Sequence, residues 1–177
     1  MMNIALIGNP NTGKTSLFNG LTGSYEYIGN WSGVTVEKKV GLLKNIRGQL
    51  IDLPGIYSFT PVSKEEGVVT RYCLDEQYDK VINIVDASQL GRNLPLTIQL
   101  LEGEKPVIVC LNMMDVASRR GIHLDIRKLS EMLGCPVIPI IARTGEGIEA
   151  LEAEIQKNKP STSKSMDFHY GAEIEPF

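Results

Sequence analysis

The stretch Gly8-Asn9-Pro10-Asn11-Thr12-Gly13-Lys14-Thr15 decides the fold class of this 177-residue chain. A short apolar run, residues 3–7, comes directly before it, and apolar residues at helical spacing follow it at Leu17, Phe18 and Leu21. A strand, this loop and a helix together form the P-loop pattern. Such a loop binds phosphate, because its glycines let the backbone wrap the anion while successive N–H groups and the helix N-terminus face the oxygens.

Two side chains at the end of the loop predict what else is bound there. Lys14 is expected to bridge the β- and γ-phosphates of a nucleotide, and the hydroxyl of Thr15 is expected to bind Mg²⁺, a hard cation that prefers oxygen ligands. We therefore predict that every residue from Gly8 to Ser16, both included, contacts the nucleotide. The alternative interpretation is an ordinary glycine-rich turn before a helix, with a solvated lysine.

Strand-like and helix-like segments alternate along the rest of the chain, which predicts a mostly parallel sheet wrapped by helices. The connection between the second and third strands, residues 44–48, is too short for a crossover, so this pair should be antiparallel, with the second strand at the sheet edge. We predict an α/β fold of the P-loop NTPase type, a three-layer sandwich. Its sheet should be six-stranded and mostly parallel, with one antiparallel edge strand, from residues 3–7, 37–43, 49–53, 80–85, 106–111 and 137–140.

Length and composition favour one compact domain, with 42% hydrophobic residues and a net charge of −3. The apolar runs are far shorter than the roughly 20 residues that cross a bilayer, and no signal peptide is recognisable, so we expect a cytoplasmic domain. The sequence has no run of Lys and Arg that forms a basic stripe, so nucleic-acid binding is not predicted. Residues 1–158 should form the domain. Residues 159–177 should form a linker or tail, because they begin with a stretch rich in Ser, Thr, Lys and Pro.

A second motif, Asp52-Leu53-Pro54-Gly55, lies at the end of the third predicted strand. That strand should lie beside the first strand, so the motif should lie beside the P-loop. In such a position Asp52 would hold Mg²⁺ through water, and the Gly55 N–H would meet the γ-phosphate. Alone, this four-residue pattern is a common turn. The P-loop upstream is what favours the functional interpretation.

The base is predicted by Asn112-Met113-Met114-Asp115, which follows the fifth predicted strand. The Asp115 carboxylate can accept hydrogen bonds from the ring N–H and the exocyclic amine of guanine, donors that adenine lacks. Asn112 would brace the site, and a backbone N–H of Ile141-Ala142-Arg143 would meet guanine O6. Loop capping is the alternative role for Asn112 and Asp115. The sequence thus predicts a GTPase (G) domain that binds GTP or GDP with Mg²⁺.

These motifs, in this order, resemble the Ras-like translation-factor class of GTPases. The chain is more closely similar to the cytoplasmic G domain of the bacterial ferrous iron transport protein B family. The most specific part is Gly29-Asn30-Trp31-Ser32-Gly33-Val34-Thr35, and the wider resemblance covers residues 8–16, 27–37, 52–58, 65–70, 85–88 and 112–115. One departure is Ile141-Ala142-Arg143, where the class pattern is Ser-Ala-Lys.

The resemblance implies a place and partners for this domain. Family members continue into a helical subdomain and a membrane transport domain, so the tail would begin that subdomain. The domain would lie at the cytoplasmic face of the bacterial inner membrane, touch the membrane only through the rest of the polypeptide, and join any oligomer of the full-length protein. GTP would be hydrolysed slowly, as a switch for iron transport.

The resemblance also implies how catalysis is arranged. Ile56 stands where Ras-like enzymes carry the glutamine that orients water, so switch backbone would align the water. A potassium ion would replace an arginine finger, held by the Asn11 side chain and by the carbonyls of Gly29 and Trp31. Thr35 would bind Mg²⁺ and sense the γ-phosphate, with Gly33 and Val34 also at the nucleotide. Lys14, Asn11, Thr35 and Gly55 would be the catalytic residues; for Asn11 alone, a turn-stabilising role is the alternative.

Several residues admit a structural role instead. Glu66 and its neighbour Glu65 could act on water, but Ser63-x-x-Glu66 is also a capping box that opens a helix. Trp31 could stack on a ligand or latch against the domain surface. His123 and His169 are expected at the surface, and Cys73, Cys110 and Cys135 in a reduced core. Residues 24–35 and 56–63 should be mobile switch loops.

Two other functions fit the same motifs. One is a soluble ribosome-assembly or tRNA-modifying GTPase, which an RNA-binding measurement would identify. The other is a module that senses guanine nucleotide without hydrolysing it, which measurable phosphate release would exclude.

Overall fold

The computed structural model of the chain describes residues 1–158, and for residues 24–28 it describes the backbone alone. Within this range seven strands form one sheet in the spatial order β2-β3-β4-β1-β5-β6-β7. The strands are β1 Met2–Gly8, β2 Thr22–Asn30, β3 Glu37–Leu43, β4 Gly48–Asp52, β5 Lys80–Asp86, β6 Val107–Asn112 and β7 Val137–Pro139. The helices are α1 Lys14–Leu21, α2 Lys64–Asp75, α3 Leu90–Glu102, α4 Met114–Arg119, α5 Ile126–Leu133 and α6 Ile148–Gln156, with a 3-10 turn at Ala87–Gln89. The predicted tail, residues 159–177, lies outside the described residues.

The predicted sheet is confirmed in its six strands, and it gains one strand at its edge. β3 pairs antiparallel with β4 as expected, but β3 is not the edge strand, because β2 pairs antiparallel along its other side from Thr22 to Asn30. The sheet therefore has two antiparallel pairings rather than one, and among the seven described strands β3 alone runs opposite to the others. Glycine, serine and asparagine made residues 22–30 resemble a loop, whereas the unpaired backbone groups of β3 supply a ladder for them.

Helices cover both faces of the sheet, which confirms the three-layer arrangement. Along β1, Ile4 and Leu6 join the apolar cluster beneath α1 and α6, whereas Ala5 and Ile7 join the cluster beneath α2, α3 and α5. This alternation follows from the two-residue period of a strand that is buried on both faces. Within residues 1–158, no helix has the length and apolar character needed to cross a membrane.

The buried face of α3 contains polar as well as apolar residues. Its buried residues are Asn93, Leu96, Thr97, Leu100 and Leu101. Two of these are polar, and their hydrogen bonds explain their burial. The Thr97 hydroxyl donates to Asn83 Oδ1 at 2.5 Å, and Asn93 Oδ1 accepts from the Asp86 N–H at 3.3 Å.

All three cysteines are buried free thiols, as the sequence predicted. Burial raises the pKa of the Cys73 thiol to about 12 and that of Cys135 to about 12, and it raises the pKa of Cys110 further. We therefore expect the native chain to react with no equivalents of a thiol reagent such as DTNB at pH 8, and the urea-unfolded chain to react at all three.

The same pKa shifts predict a dependence of stability on pH. Unfolded thiols ionise near pH 8.5, so the contribution of the buried thiols to the free energy of unfolding is complete below that pH. It is then lost as the pH rises toward about 12. For the labelling experiment, rapid reaction of the folded chain with DTNB at pH 8 would contradict the burial of the three thiols.

Candidate functional site

The carboxyl ends of four neighbouring strands meet at one edge of the sheet. β1 ends at Gly8, β4 at Asp52, β5 at Asp86 and β6 at Asn112, and β1 pairs in parallel with both β4 and β5. In open α/β sheets ligands bind at this edge. The topology therefore brings the P-loop, the Asp-x-x-Gly element and the predicted base motif together.

The P-loop joins β1 to α1, and its glycines are required by close packing. Gly13 has a φ of +89°, and a Cβ there would lie 2.3 Å from Asn112 Nδ2. At Gly8 a Cβ would lie 2.5 Å from Ile84 Cγ2. Inside the loop, the Thr12 hydroxyl donates to the Asn9 carbonyl at 2.9 Å. Any other residue at Gly8 or Gly13 would displace the loop.

Asn11 adopts a left-handed backbone with a φ of +62°. Asparagine tolerates this conformation better than most residues, so the turn role considered for Asn11 explains its presence without any ligand. Its exposed side chain borders a polar cavity of 130 Å³ together with Asn9, Tyr57, Asp86 and Arg92. The side chain thus also lies where an oxygen ligand to a cation could act.

Two of the three residues predicted to hold Mg²⁺ lie at one cavity. Thr15 and Asp52 line a cavity of 220 Å³, together with Phe18, Asn19 and Lys39. The Lys14 ammonium forms an ion pair with Asp52 Oδ1, and both side chains are largely buried. A hydroxyl and a carboxylate suit a hard cation. These residues therefore fit Mg²⁺ once Lys14 has turned toward a phosphate.

The Asp-x-x-Gly loop lies directly against the P-loop. A Cβ at Gly55 would approach the Pro10 backbone to 3.3 Å, and the Ile56 N–H donates to the Gly8 carbonyl at 3.2 Å. The Ile56 side chain is buried. Position 56 therefore offers no polar side-chain atom, and alignment of a water by backbone groups stays a prediction.

The predicted base motif borders a cavity of 260 Å³ that also touches the P-loop. Asn112 Nδ2 donates to the Thr12 carbonyl at 2.9 Å, and Asn112 Oδ1 accepts from the Ala142 N–H at 2.9 Å. Asn112 is buried. Its two hydrogen bonds connect its own loop to the P-loop and to the loop that contains Ala142. The residues around the cavity are Gly13, Ser16, Asn112, Met113, Asp115, Val116, Arg119, Ile141 and Arg143.

Asp115 faces this cavity, and its carboxylate is 27% exposed. Its Oδ2 lies 3.4 Å from Arg143 Nη2 and 3.5 Å from Arg119 Nη2, distances typical of weak ion pairs. Preceding it, Met113 has a left-handed φ of +61°, a strained conformation for a long side chain. The strain accompanies the sharp turn from β6 into α4, which begins one residue later.

Two of the three backbone N–H groups in the loop of Ile141, Ala142 and Arg143 are already hydrogen-bonded. The Ile141 N–H donates to the Glu146 carbonyl at 2.9 Å, and the Ala142 N–H is taken by Asn112. The Arg143 N–H is the remaining candidate for guanine O6. The replacement of the class lysine by Arg143 also adds a guanidinium that pairs with Asp115.

Trp31, one of the predicted potassium ligands, is buried against α2 rather than facing the P-loop. Trp31 is 3% exposed and packs edge-on against Tyr72 of α2, with ring centroids 4.3 Å apart. The Lys38 ammonium lies 4.7 Å from the Trp31 ring centroid. The Trp31 carbonyl accepts from the Val34 N–H at 3.2 Å. Of the two roles considered for Trp31, the structure therefore has the hydrophobic latch.

The rest of this segment follows the latch. Gly29 pairs with Lys38 in the β2–β3 ladder, although residues 24–30 were expected in a switch loop. Gly33 has a φ of +82° in open surroundings, Val34 packs on the core cluster, and Thr35 is exposed. The lining of the Thr15 and Asp52 cavity does not include Thr35. Binding of Mg²⁺ or potassium by this segment therefore requires residues 31–36 to rearrange.

The remaining candidates have structural roles. The Ser63 hydroxyl accepts from the Glu66 N–H at 3.1 Å, so the predicted cap of α2 is confirmed, and the Glu66 carboxylate accepts from the Val62 N–H at 2.6 Å. His123 is exposed, as predicted, and His169 lies outside the described residues. Among residues 1–158, no three His, Cys, Asp or Glu side chains form a group that could hold a metal ion.

Comparison with known proteins agrees with this geometry. The family model described as ferrous iron transport protein B matches residues 2–155. The chain belongs to this family. The Fe(2+) transporter FeoB of Staphylococcus aureus (strain COL) is 57% identical over 175 residues, which cover 99% of this chain. This alignment spans only 26% of that transporter, so the chain corresponds to about a quarter of the relative's length.

Solved structures place the match in the G domain of the family. The FeoB G-domain from Methanococcus jannaschii is 43% identical with a TM-score of 0.76, and the match covers 87% of this chain and 94% of that one. A mutant of S. thermophilus NFeoB bound to GDP is 45% identical with a TM-score of 0.84, and the match covers 92% of this chain and 64% of that one. Sequence reasoning therefore identified both the fold and the family.

Sequence reasoning missed the contacts of Arg92. Its Nη2 donates to the Tyr57 hydroxyl at 3.0 Å, and its carbonyl accepts from Asn9 Nδ2 at 3.2 Å. Tyr72 and Lys38, the partners of Trp31, were missed in the same way. No local pattern marks such residues, because each contact joins separate segments of the chain.

Proposed function

We propose that this chain is the GTP-binding and slowly GTP-hydrolysing switch domain of a ferrous iron transporter. The observation that carries the proposal is the position of Asn112, which hydrogen-bonds the P-loop at Thr12 and the loop at Ala142. A phosphate-binding loop and the carboxylate of Asp115 thereby border one cavity. Guanine would pair with Asp115, and its phosphates would lie in the P-loop.

The magnesium part of the proposal rests on Thr15 and Asp52. These two side chains would hold Mg²⁺, which when bound neutralises phosphate charge. Lys14 is paired with Asp52 in this structure. On GTP binding Lys14 would turn to the β- and γ-phosphates and release the carboxylate. The bond between Lys14 and Asp52 would thus keep two charged groups paired until a nucleotide separates them.

Hydrolysis is proposed to be slow because the second switch lacks a side chain for the water. The Gly55 N–H would contact the γ-phosphate, and backbone groups beside buried Ile56 would align the attacking water. Thr35 would order the first switch once Trp31 has left Tyr72. Release of the γ-phosphate would free both segments, which is the switching step.

The proposal is tested by two measurements on the purified chain. Calorimetry should show GDP bound at least about 100-fold more tightly than ADP, because Asp115 offers no donor to adenine. Phosphate release from GTP should be measurable. Equal affinity for GDP and ADP would contradict the guanine site, and tight GDP binding without phosphate release would identify a nucleotide-sensing module instead.

Potassium is the activating cation in this proposal, with Asn11 supplying a side-chain oxygen and Gly29 and Trp31 supplying carbonyls. We expect GTP hydrolysis to be about 10-fold faster in KCl than in NaCl at equal ionic strength, since a bound cation stabilises transition-state charge. Asn11→Ala should remove that difference while GDP affinity stays within about twofold, because the P-loop N–H groups are unchanged. Phosphate release in the two salts measures both effects.

A matched control is Asn45→Ala, an exposed asparagine whose amide contacts Glu152 far from the P-loop. It should keep the wild-type ratio of rates in the two salts. Equal rates in KCl and NaCl for the wild type would contradict the role of potassium. A full potassium effect in Asn11→Ala would leave Asn11 with its turn role alone.

The remainder of the proposal concerns the longer protein. Residues 159–177 would lead into a helical subdomain and a membrane transport domain of the same polypeptide. The domain would then act at the cytoplasmic face of the bacterial inner membrane, alone or within an oligomer of the full-length protein. Expression of the continuous polypeptide and membrane fractionation test this arrangement, and recovery of the whole protein in the soluble fraction would contradict it.

A further inference from the structure

The Asp-x-x-Gly loop is held against its surroundings at three consecutive residues. Gly55 packs on the Pro10 backbone, and the Ile56 N–H donates to the Gly8 carbonyl. Directly after them, the Tyr57 hydroxyl accepts a hydrogen bond from Arg92 Nη2 at 3.0 Å. The Arg92 guanidinium carbon also lies 4.9 Å from the Tyr57 ring centroid. Two contacts hold the loop at the P-loop, and the third reaches it from α3.

Arg92 is joined to the P-loop as well as to this loop. It lies in the first turn of α3, and its carbonyl accepts from Asn9 Nδ2 at 3.2 Å. Asn9 is 3% exposed, so the P-loop end of this connection is buried. The next residue, Asn93, is also buried and binds the Asp86 N–H at the end of β5. The backbone of Arg92 is therefore fixed, and its side chain extends from a rigid base.

The position of the loop backbone matters because Ile56 has no polar side chain. In the proposed reaction, backbone groups next to Gly55 meet the γ-phosphate and the attacking water. Small displacements of reacting groups are costly, since about 1 Å can lower a rate by about 100-fold. An interaction that restrains the loop immediately after Ile56 therefore acts directly on the reaction.

We propose that Arg92 is a positioning residue for GTP hydrolysis, which through Tyr57 holds the backbone of Gly55 and Ile56 at the P-loop. This inference rests on the proposed function. Arg92 reaches the second switch by its side chain and the P-loop by its carbonyl, so it relates the two parts that enclose the γ-phosphate. Arg92 itself touches neither the base pocket nor the Thr15 and Asp52 cavity.

Arg92→Ala is expected to lower the kcat for GTP hydrolysis about 5- to 10-fold, since the loop becomes free to move by a fraction of an ångström. The KM for GTP and the Kd for GDP should stay within about twofold, because binding uses P-loop and base contacts. Arg92→Lys keeps the charge but not the planar guanidinium, so its kcat should lie between those of the wild type and Arg92→Ala. Steady-state phosphate release and calorimetry on the full 177-residue chain measure these values.

A double-mutant cycle tests whether Arg92 acts through Tyr57. Tyr57→Phe removes the hydrogen bond but keeps the ring contact, so its effect should be smaller than that of Arg92→Ala. The double variant should hydrolyse GTP at the rate of Arg92→Ala alone. Arg127→Ala, an exposed arginine on α5, is the matched control and should match the wild type. A wild-type kcat in Arg92→Ala, or fully additive effects in the double variant, would overturn the inference.

Amide hydrogen exchange gives a readout that does not require catalysis. In the GDP-bound chain, exchange of residues 53–60 should be faster in Arg92→Ala than in the wild type, with α5 unchanged. Equal exchange would overturn the anchoring. If the wild type released no phosphate, the proposed function and this inference would both fail, whereas an active wild type with an equally active Arg92→Ala would overturn the inference alone.

Discussion

Lys14→Ala is expected to lower phosphate release from GTP by about 100- to 1,000-fold, the size of effect seen when one preorganised charge-stabilising group is removed from an active site. GDP affinity should also fall, because the ammonium is the only cationic side chain in the P-loop sequence. The Asp52 carboxylate would lose its ion-pair partner at the same time. Calorimetry and phosphate release measure the two losses separately.

The control for this variant is Lys39→Ala. Lys39 lines the same cavity as Thr15 and Asp52, and its ion pair is with the exposed Glu37. The Lys39→Ala substitution therefore changes the charge near the site without changing the P-loop. We expect its GDP affinity to stay within about threefold of the wild type, as exposed ion pairs contribute little. Equal losses in the two variants would show that general positive charge, rather than Lys14, binds the phosphates.

Asp115→Asn is expected to exchange the base preference of the domain from guanine to xanthine. The amide would present an N–H donor where the carboxylate presents an acceptor, so GDP would lose one hydrogen bond and face a repelling donor. Xanthine carries a carbonyl in place of the exocyclic amine and would accept from that amide. GDP affinity should fall about 100-fold or more, and xanthosine diphosphate should bind more tightly than GDP. Competition with a fluorescent nucleotide measures both affinities.

Asp125→Asn provides the comparison for this substitution. Asp125 caps α5 by accepting from the Lys128 N–H at 2.9 Å, and asparagine caps a helix equally well. This variant makes the same chemical change away from the base pocket and should bind GDP like the wild type. Unchanged GDP preference in Asp115→Asn would remove Asp115 from base recognition and weaken the guanine assignment.

Contiguous motifs predicted most of the candidate site. The P-loop, Asp52 to Gly55 and Asn112 to Asp115 lie where the order of strands required, at the carboxyl edge of the sheet. The bracing role of Asn112 was predicted, and its hydrogen bonds to Thr12 and Ala142 supply the geometry. The positions of these motifs could be predicted because each motif is short and lies where its own strand ends. The binding roles of their residues stay predictions.

Predictions that depended on distant contacts were less complete. Strand β2 was missed because residues 22–30 have a loop-like composition and form a strand only by pairing with β3. Trp31 was placed with the cation ligands by resemblance, whereas in this structure its ring packs edge-on against Tyr72 and the Lys38 ammonium lies over it. Its sequence neighbours carry no sign of that contact.

The sequence by itself determined the class of chemistry: a phosphate-binding loop, a hydroxyl and a carboxylate suited to Mg²⁺, and a carboxylate suited to guanine. Each of these depends on the identity of a few adjacent side chains and on the local backbone that glycine permits. Tertiary structure alone decided which groups hold the switch segments, namely Tyr72 for Trp31 and Arg92 for Tyr57. Such contacts join residues 35 or more positions apart, so they exist only after the sheet has brought the segments together.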